Sequence, residues 1–142
     1  MDLEIGKEAP SGKLYPLCPH EFELLKEYLN EMLQNGKMRP SKNSSSAPIF
    51  FTKQAYGKLR IVVDYCGLNA ITLKDKYPPP LMTTLMERVG TLQVFSKLDV
   101  KLCFNLIRIA KADEWKTAFK TCYRAYEYMV IPFGLTNAPS IF

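Results

Sequence analysis

The sequence contains few of the residues that mark a disulfide-rich or zinc-binding protein. Of its 142 residues, four are cysteine and one is histidine. No two cysteines form a Cys-x-x-Cys pair, and one histidine cannot complete a zinc site of usual spacing. We therefore expect free thiols in a reducing compartment.

Long apolar stretches are also absent. No run of about 18 apolar residues is present, which argues against a membrane span. Residues 1–8 are charged and contain no apolar signal core. We expect a protein that is not secreted and that works inside the cell, in the cytoplasm or the nucleus.

The charge balance is positive. Nineteen Lys and Arg residues face 14 Asp and Glu residues, which gives a net charge of +5 and a pI near 9.0. This favours a polyanionic partner such as nucleic acid. The basic residues are spread along the chain without a dense run, so an ordinary basic globular domain is the alternative.

Hydrophobic periodicity predicts an α+β fold. A helix is predicted over Pro19–Gln34 because one apolar stripe runs through Phe22, Leu25, Leu29 and Met32. Pro19 suits the first helical position, and Gly36 suits the stop after the helix. Two strands, Ala47–Thr52 and Lys58–Tyr65, are joined by a short link containing Gly57, which predicts a β-hairpin.

The rest of the chain is predicted to alternate between strands and helices. Residues 39–46 are predicted as a polar loop. The remaining predicted elements are a helix at Leu81–Val89, strands at Gln93–Leu98, Asn105–Ile109, Thr117–Cys122 and Tyr126–Val130, and a helix starting near Asn137. Together they predict antiparallel strands with helices packed against them.

Asp99 is the first candidate for chemistry. It follows the predicted strand Gln93–Leu98, which would hold its carboxylate at a sheet edge. Carboxylates of this kind bind Mg²⁺, which keeps several waters and takes phosphate oxygens as well. A helix cap or a turn former is the alternative reading of a single aspartate.

Lys53 and Arg60 flank the predicted hairpin turn and could close over a triphosphate. Alternatively, these charges only discourage edge pairing. Phe104 could pack beneath a sugar ring or fill the core. At the turn after Pro132, Gly134 permits close backbone approach, although a plain turn before a helix would look the same.

Several short motifs occur in a fixed order along the chain, at 14–17, 38–41, 47–48, 57–60, 63–65, 67–69, 77–78, 95–99, 113–119 and 132–139. In this order they resemble the N-terminal half of the reverse transcriptase domain of gypsy-class LTR retrotransposons. The resemblance covers nearly all of residues 12–142.

The resemblance implies a right-hand polymerase fold. Residues 1–17 would be an extended lead-in, residues 18–90 approximately the fingers, and residues 91–142 the start of the palm. It also implies an RNA-directed DNA polymerase that adds deoxynucleotides to a primer by two-metal phosphoryl transfer with Mg²⁺ or Mn²⁺. The implied partners are a primer–template, deoxynucleotide triphosphates and the rest of the polyprotein.

The family's site residues carry over to individual positions. Asp99 would be the first catalytic aspartate, and the Val100 carbonyl would join it on the metal. The other implied roles are triphosphate binding by Lys53 and Arg60, a steric gate against a ribose 2′-hydroxyl at Phe104, contact with nucleotide and template at Phe133 and Gly134, and template binding at Asn137 and Pro139.

The chain departs from the family pattern at several positions. Leu102 and Cys103 precede Phe104 where a small residue is usual, and Cys66 stands where the family has an arginine. The hairpin tip, residues 54–57, also lacks the charges often found there.

The family's Tyr/Phe-x-Asp-Asp motif, which supplies the other metal-binding carboxylates, does not occur in these 142 residues. We therefore expect no polymerase turnover from them alone. A catalytically dead, basic module that binds nucleic acid or another protein is the alternative.

Overall fold

In the described part of the computed structural model, five strands form one mixed sheet in the order β1-β5-β4-β2-β3. The structure describes residues 1–7, 9–43, 45–54, 57–76, 81–90, 92–98, 100 and 103–141. The strands are β1 (Met38–Pro40), β2 (Ala47–Lys53), β3 (Leu59–Val63), β4 (Phe119–Lys120) and β5 (Ala125–Tyr128). The helices are α1 (Pro19–Gln34), α2 (Cys66–Ile71), α3 (Met82–Val89) and α4 (Ala138–Ile141).

Helix α1 has the predicted bounds. Pro19 occupies its first turn, and the backbone N–H of Cys18 donates to the Glu21 carboxylate at 2.8 Å. After the helix, Gly36 adopts a φ of +62°, and the N–H of Lys37 donates to the Met32 carbonyl. Three stripe residues are buried: Leu25, Leu29 and Met32.

The predicted hairpin is confirmed. Strands β2 and β3 pair in antiparallel register from Ile49 opposite Val63 to Lys53 opposite Leu59. The β-branched and aromatic residues of both strands favour this extended pairing. Residues 55 and 56 at the tip lie outside the described residues.

The sheet contains one parallel junction. Strand β2 pairs with β4 in parallel, whereas β4 with β5 and β5 with β1 are antiparallel. The parallel pair joins segments about 70 residues apart, and local periodicity carries no signal for such a pairing. Strand β1 falls partly in the predicted polar loop, because three residues are too few to show a period.

Two predicted strands are wrong or displaced. Residues 92–98 form no strand, and Val94 and Leu98 are 86% and 90% exposed. A strand needs a hydrogen-bonding neighbour, and none of the described strands pairs with this segment. In the predicted strand Asn105–Ile109, the first residues belong to a 3₁₀ helix, Cys103–Leu106, and only Arg108 forms a bridge, with Val130.

The core lies between α1 and the sheet. Leu25 and Leu29 of α1 join Ile49, Phe119 and Tyr128 in one buried cluster. The Phe119 and Tyr128 rings stack with centroids 5.1 Å apart. The predicted helix at Leu81–Val89 is confirmed as α3, although none of its residues is buried.

The short helix α2 was not predicted, whereas α4 begins within one residue of the predicted Asn137. Over the part of the chain that the structure describes, no helix is both long and apolar enough to cross a membrane.

Candidate nucleotide and template site

Three of the predicted site residues meet at one point. Arg60 comes from β3, Phe104 from the 3₁₀ helix Cys103–Leu106, and Phe133 from the turn after β5. The Arg60 guanidinium lies 4.7 Å from the centroid of the Phe133 ring, within the range of a cation–π contact. Phe104 meets the same ring edge-on, with centroids 5.4 Å apart and planes at 90°. The fold therefore assembles a cation and two aromatic rings from three separate segments.

Lys53 is not part of this group. It pairs with Leu59, whereas Arg60 pairs with Thr52, one step further along the ladder. Facing residues of an antiparallel pair project to one side, and successive residues alternate. Lys53 and Arg60 therefore leave opposite faces of the hairpin, and both are exposed.

The turn that carries Phe133 depends on Gly134. Its φ of +103° lies in the region that favours glycine. A Cβ at this position would lie 3.6 Å from the Tyr65 ring, so backbone conformation rather than space excludes a larger residue. The Gly134 carbonyl accepts a hydrogen bond from the Asn69 side chain at 2.7 Å.

Asn69 is a residue to which sequence reasoning assigned no role. The available signal was its place in the matching segment Gly67-Leu68-Asn69. Its Oδ1 accepts a hydrogen bond from the Thr136 N–H at 2.9 Å, so both ends of its amide hold the turn. The motif could indicate the residue but not its hydrogen-bond partners.

The two predicted template residues lie close together after the turn. The Asn137 Nδ2 donates to the Leu73 carbonyl at 2.8 Å, and its Oδ1 accepts from the Asp75 N–H at 3.2 Å. Pro139 is exposed in α4.

The predicted metal site lies mostly outside the described residues. Asp99 is not among them, and the described Val100 has a side chain that is 53% exposed. Among the described residues, no group of three or more His, Cys, Asp or Glu side chains could hold a metal ion. The described residues alone therefore do not form a metal centre.

A groove of about 820 Å³ runs beside the aromatic group, between α1, β3 and the Phe133 turn. Glu27 and Glu31 line its α1 side, and Arg60 lies on the β3 side. An anionic ligand would be repelled by the first wall and attracted to the second. The electrostatics favour ligand contact at the hairpin side.

Two tyrosine hydroxyls meet beneath this groove. The Tyr28 and Tyr128 hydroxyl oxygens are 2.8 Å apart. Burial raises the pKa of Tyr28 and raises the pKa of Tyr128 well above its usual value. Both groups are therefore neutral phenols at physiological pH.

Cys66 stands at the departure from the family's arginine. It is exposed, and its backbone N–H donates to the Asp64 carboxylate at 3.0 Å. A hydrogen bond from the Cys66 side chain to Asp64 and the negative charge of Asp64 raise the pKa of the Cys66 thiol. The position therefore carries no positive charge for a template phosphate.

Comparison with known families identifies the class. A family model described as reverse transcriptase (RNA-dependent DNA polymerase) matches residues 42–142. The chain belongs to the reverse transcriptase family.

A relative with a similar sequence is a retrotransposon polyprotein. The chain is 38% identical to the Transposon Tf2-3 polyprotein of Schizosaccharomyces pombe over 128 residues, which is 90% of the chain. The match covers only 10% of that polyprotein, so the chain spans about a tenth of the length of its curated relative.

Solved structures show the fold. The chain matches a Prototype Foamy Virus protease–reverse transcriptase mutant with a TM-score of 0.77 and 24% identity, over 99% of this chain and 19% of that one. A foamy viral protease–reverse transcriptase in complex with double-stranded DNA also gives 0.77, at 21% identity, over 99% of this chain and 25% of that one. The predicted α+β fold of polymerase fingers and partial palm is confirmed.

Proposed function

We propose that these residues form the fingers and the first part of the palm of a gypsy-class retrotransposon RNA-directed DNA polymerase. The observation that carries the proposal is the meeting of Arg60, Phe104 and Phe133 in a chain of the reverse transcriptase family. The likeness to the Tf2-3 polyprotein supports the retrotransposon origin. We assign residues 1–17 to a lead-in, residues 18–90 approximately to the fingers, and residues 91–142 to the palm.

The aromatic group suits recognition of a nucleotide. An arginine guanidinium presents a planar fork of donors that fits phosphate oxygens. The Phe133 ring beneath it restricts its conformations, so less side-chain freedom is lost when phosphate binds. The edge-on contact fixes Phe104 as well, and a fixed ring beside a sugar excludes a 2′-hydroxyl by its volume.

Catalysis by such a polymerase uses Mg²⁺ or Mn²⁺ to stabilise the charge of phosphoryl transfer. Asp99 and the Val100 carbonyl would supply oxygen ligands of the kind these ions prefer. Two metal ions about 3.5–4 Å apart need further shared anionic ligands. We propose that residues of the polyprotein outside these 142 supply them.

Primer extension tests this division of the active site. We expect no template-directed extension by the 142 residues alone, with Mg²⁺ or Mn²⁺, as measured on a sequencing gel. The matched control is Asp99→Asn, because extension that persists in this variant comes from a contaminant. Extension that the wild type shows and Asp99→Asn lacks would contradict the proposal.

Salt-dependent binding tests the nucleic-acid partner. We expect a labelled primer–template with a template overhang to bind at low salt, measured by fluorescence anisotropy. Each phosphate contact adds about one counterion to the salt dependence, so Arg60→Met or Lys53→Ala should reduce the slope of log K against log salt by about 1.

The matched control for this experiment is Lys26→Ala. Lys26 is exposed on α1 and does not line the groove, so its substitution should leave the slope unchanged. Absence of binding by the wild type at low salt would contradict the proposed partner. Equal reductions of the slope for Arg60→Met, Lys53→Ala and Lys26→Ala would instead favour a basic module that binds nucleic acid through its overall charge.

A further inference from the structure

Two asparagine side chains connect the same pair of segments in opposite directions. Asn69, in α2, donates from Nδ2 to the Gly134 carbonyl at 2.7 Å and accepts at Oδ1 from the Thr136 N–H at 2.9 Å. One side-chain amide therefore bridges two backbone groups of the turn that follows Phe133. Because the backbone is bound at both Gly134 and Thr136, this turn has little freedom to move.

Asn137 makes the reciprocal connection. From the end of the turn, it donates from Nδ2 to the Leu73 carbonyl at 2.8 Å and accepts at Oδ1 from the Asp75 N–H at 3.2 Å. Each asparagine thus uses a donor and an acceptor on the backbone of the opposite segment. We call these four hydrogen bonds the asparagine clamp.

The clamp holds the element that presents Phe133. Gly134, whose carbonyl is bound by Asn69, directly follows Phe133 and packs near the Tyr65 ring. Tyr65 is itself fixed, because its buried hydroxyl donates to the Thr117 carbonyl at 2.8 Å. The backbone that follows Phe133 is therefore held in place, while the Phe133 ring contacts Arg60 and Phe104.

We propose that Asn69 and Asn137 are positioning residues that set the Phe133 turn, and through it the Arg60 guanidinium, for primer–template and nucleotide binding. This inference rests on the proposed function. An amide is required because each side chain must donate and accept at once, which neither a carboxylate nor an alkyl group can do. For Asn137 the clamp offers a role other than direct contact with template.

Amide hydrogen exchange, measured by NMR without any ligand, tests whether the clamp holds the turn. Asn69→Ala should accelerate exchange of the Thr136 N–H about tenfold, as expected for loss of one hydrogen bond. Asn69→Asp keeps an acceptor for this N–H and should preserve most of its protection. Asn137→Ala should accelerate the Asp75 N–H in the same way.

The matched control for exchange is Asn30→Ala, since Asn30 is exposed on α1 and lies outside both segments. It should leave the Thr136 and Asp75 amides unchanged. If Thr136 exchanges equally fast in the wild type and in a folded Asn69→Ala, the clamp does not hold the turn and the proposal is overturned. Asn137→Ala, measured at the Asp75 N–H, provides the same comparison should Asn69→Ala fail to fold.

A double-mutant cycle tests the positioning role. Asn69→Ala should weaken primer–template binding about fivefold at a temperature well below its unfolding transition, the loss expected for about one hydrogen bond. The substitution should add nothing in an Arg60→Met background, because residues that act through one contact are not additive. A general loss of stability would instead lower the affinity equally in both backgrounds.

The outcomes separate the two proposals. If the wild type does not bind primer–template, the proposed function fails, and the exchange result alone decides whether the clamp holds the turn. If the wild type binds and the effects of Asn69→Ala and Arg60→Met are additive, the proposed function stands and the positioning role is overturned.

Discussion

Arg39 forms ion pairs with two buried carboxylates at the edge of the sheet. Glu114 is 1% exposed, and its Oε2 lies 2.9 Å from Arg39 Nη2. Arg39 Nε also donates to Glu127 at 2.7 Å, and Ser41 donates to the other oxygen of Glu127. The Glu114 oxygens accept no well-aligned hydrogen bond from the described residues. The charge of Glu114 is balanced by Arg39 and, at a longer distance of 3.8 Å, by Arg108.

Removal of this cation should destabilise the fold. Arg39→Met leaves Glu114 buried with only the more distant Arg108 as a partner, and a buried carboxylate that loses its closest cation destabilises the folded state. We expect a lower urea midpoint with an unchanged slope of the unfolding free energy against urea.

The control for this substitution is Arg124→Met. Arg124 is exposed, and its side chain forms no ion pair with the described residues. Adding Glu114→Gln to Arg39→Met should restore part of the stability, because it removes the stranded charge. A double variant no more stable than Arg39→Met alone would show that the lost stability does not come from Glu114.

At the scale of elements, agreement among local signals decided which predictions held. Helix α1 combines an apolar stripe, Pro19 at its start and Gly36 after its end, and its bounds were predicted to the residue. The segment Gln93–Leu98 has strand-like composition but no pairing strand among the described residues. Composition favours an extended chain, whereas a strand also requires a neighbour in space.

The end of α1 gives a conformational prediction. Gly36 has a φ of +62°, and nothing lies within 4 Å of a Cβ placed there, so the effect of substitution is conformational alone. Gly36→Ala should lower the free energy of unfolding by about 1 kcal/mol, as measured by urea denaturation.

Gly36→Asn is the matched comparison, and it should cost less because asparagine tolerates positive φ. An alanine variant as stable as the wild type would mean that the reduced entropy of its unfolded chain offsets the strain.

At the scale of the whole molecule, the pKa values of three tyrosines are raised in the folded state. Burial raises the pKa of Tyr65 and Tyr128 well above the usual value of 10.0, and it raises that of Tyr28 as well. The Tyr28 and Tyr128 hydroxyls share a hydrogen bond, while Tyr65 is bound to the Thr117 carbonyl. Ionisation of any of them would place a phenolate in the core.

These shifts predict alkaline unfolding. A pKa raised in the folded state means that the unfolded chain releases protons first as the pH rises. The contribution of these protonated tyrosines to the stability of the fold is therefore complete below about pH 10 and is lost progressively above it.

We expect the near-ultraviolet absorbance of the buried phenolates to appear together with the loss of circular dichroism. Tyr123→Phe is the control, because Tyr123 is 50% exposed. Ionisation of all tyrosines well before the loss of structure would refute the linkage.

Local sequence signals are sufficient to predict α1, the β2–β3 hairpin and four candidate ligand-binding residues: Lys53, Arg60, Phe104 and Phe133. Which of these residues meet depends on the folding of the chain in three dimensions. This folding placed Arg60 and Phe104 on Phe133 but sent Lys53 to the other face of the hairpin.

The asparagine clamp and the parallel pairing of β2 with β4 were likewise decided only in three dimensions. The physical reason is that helix and turn signals act over a few residues. Contacts between residues 62 to 72 positions apart depend instead on how the whole chain closes and packs.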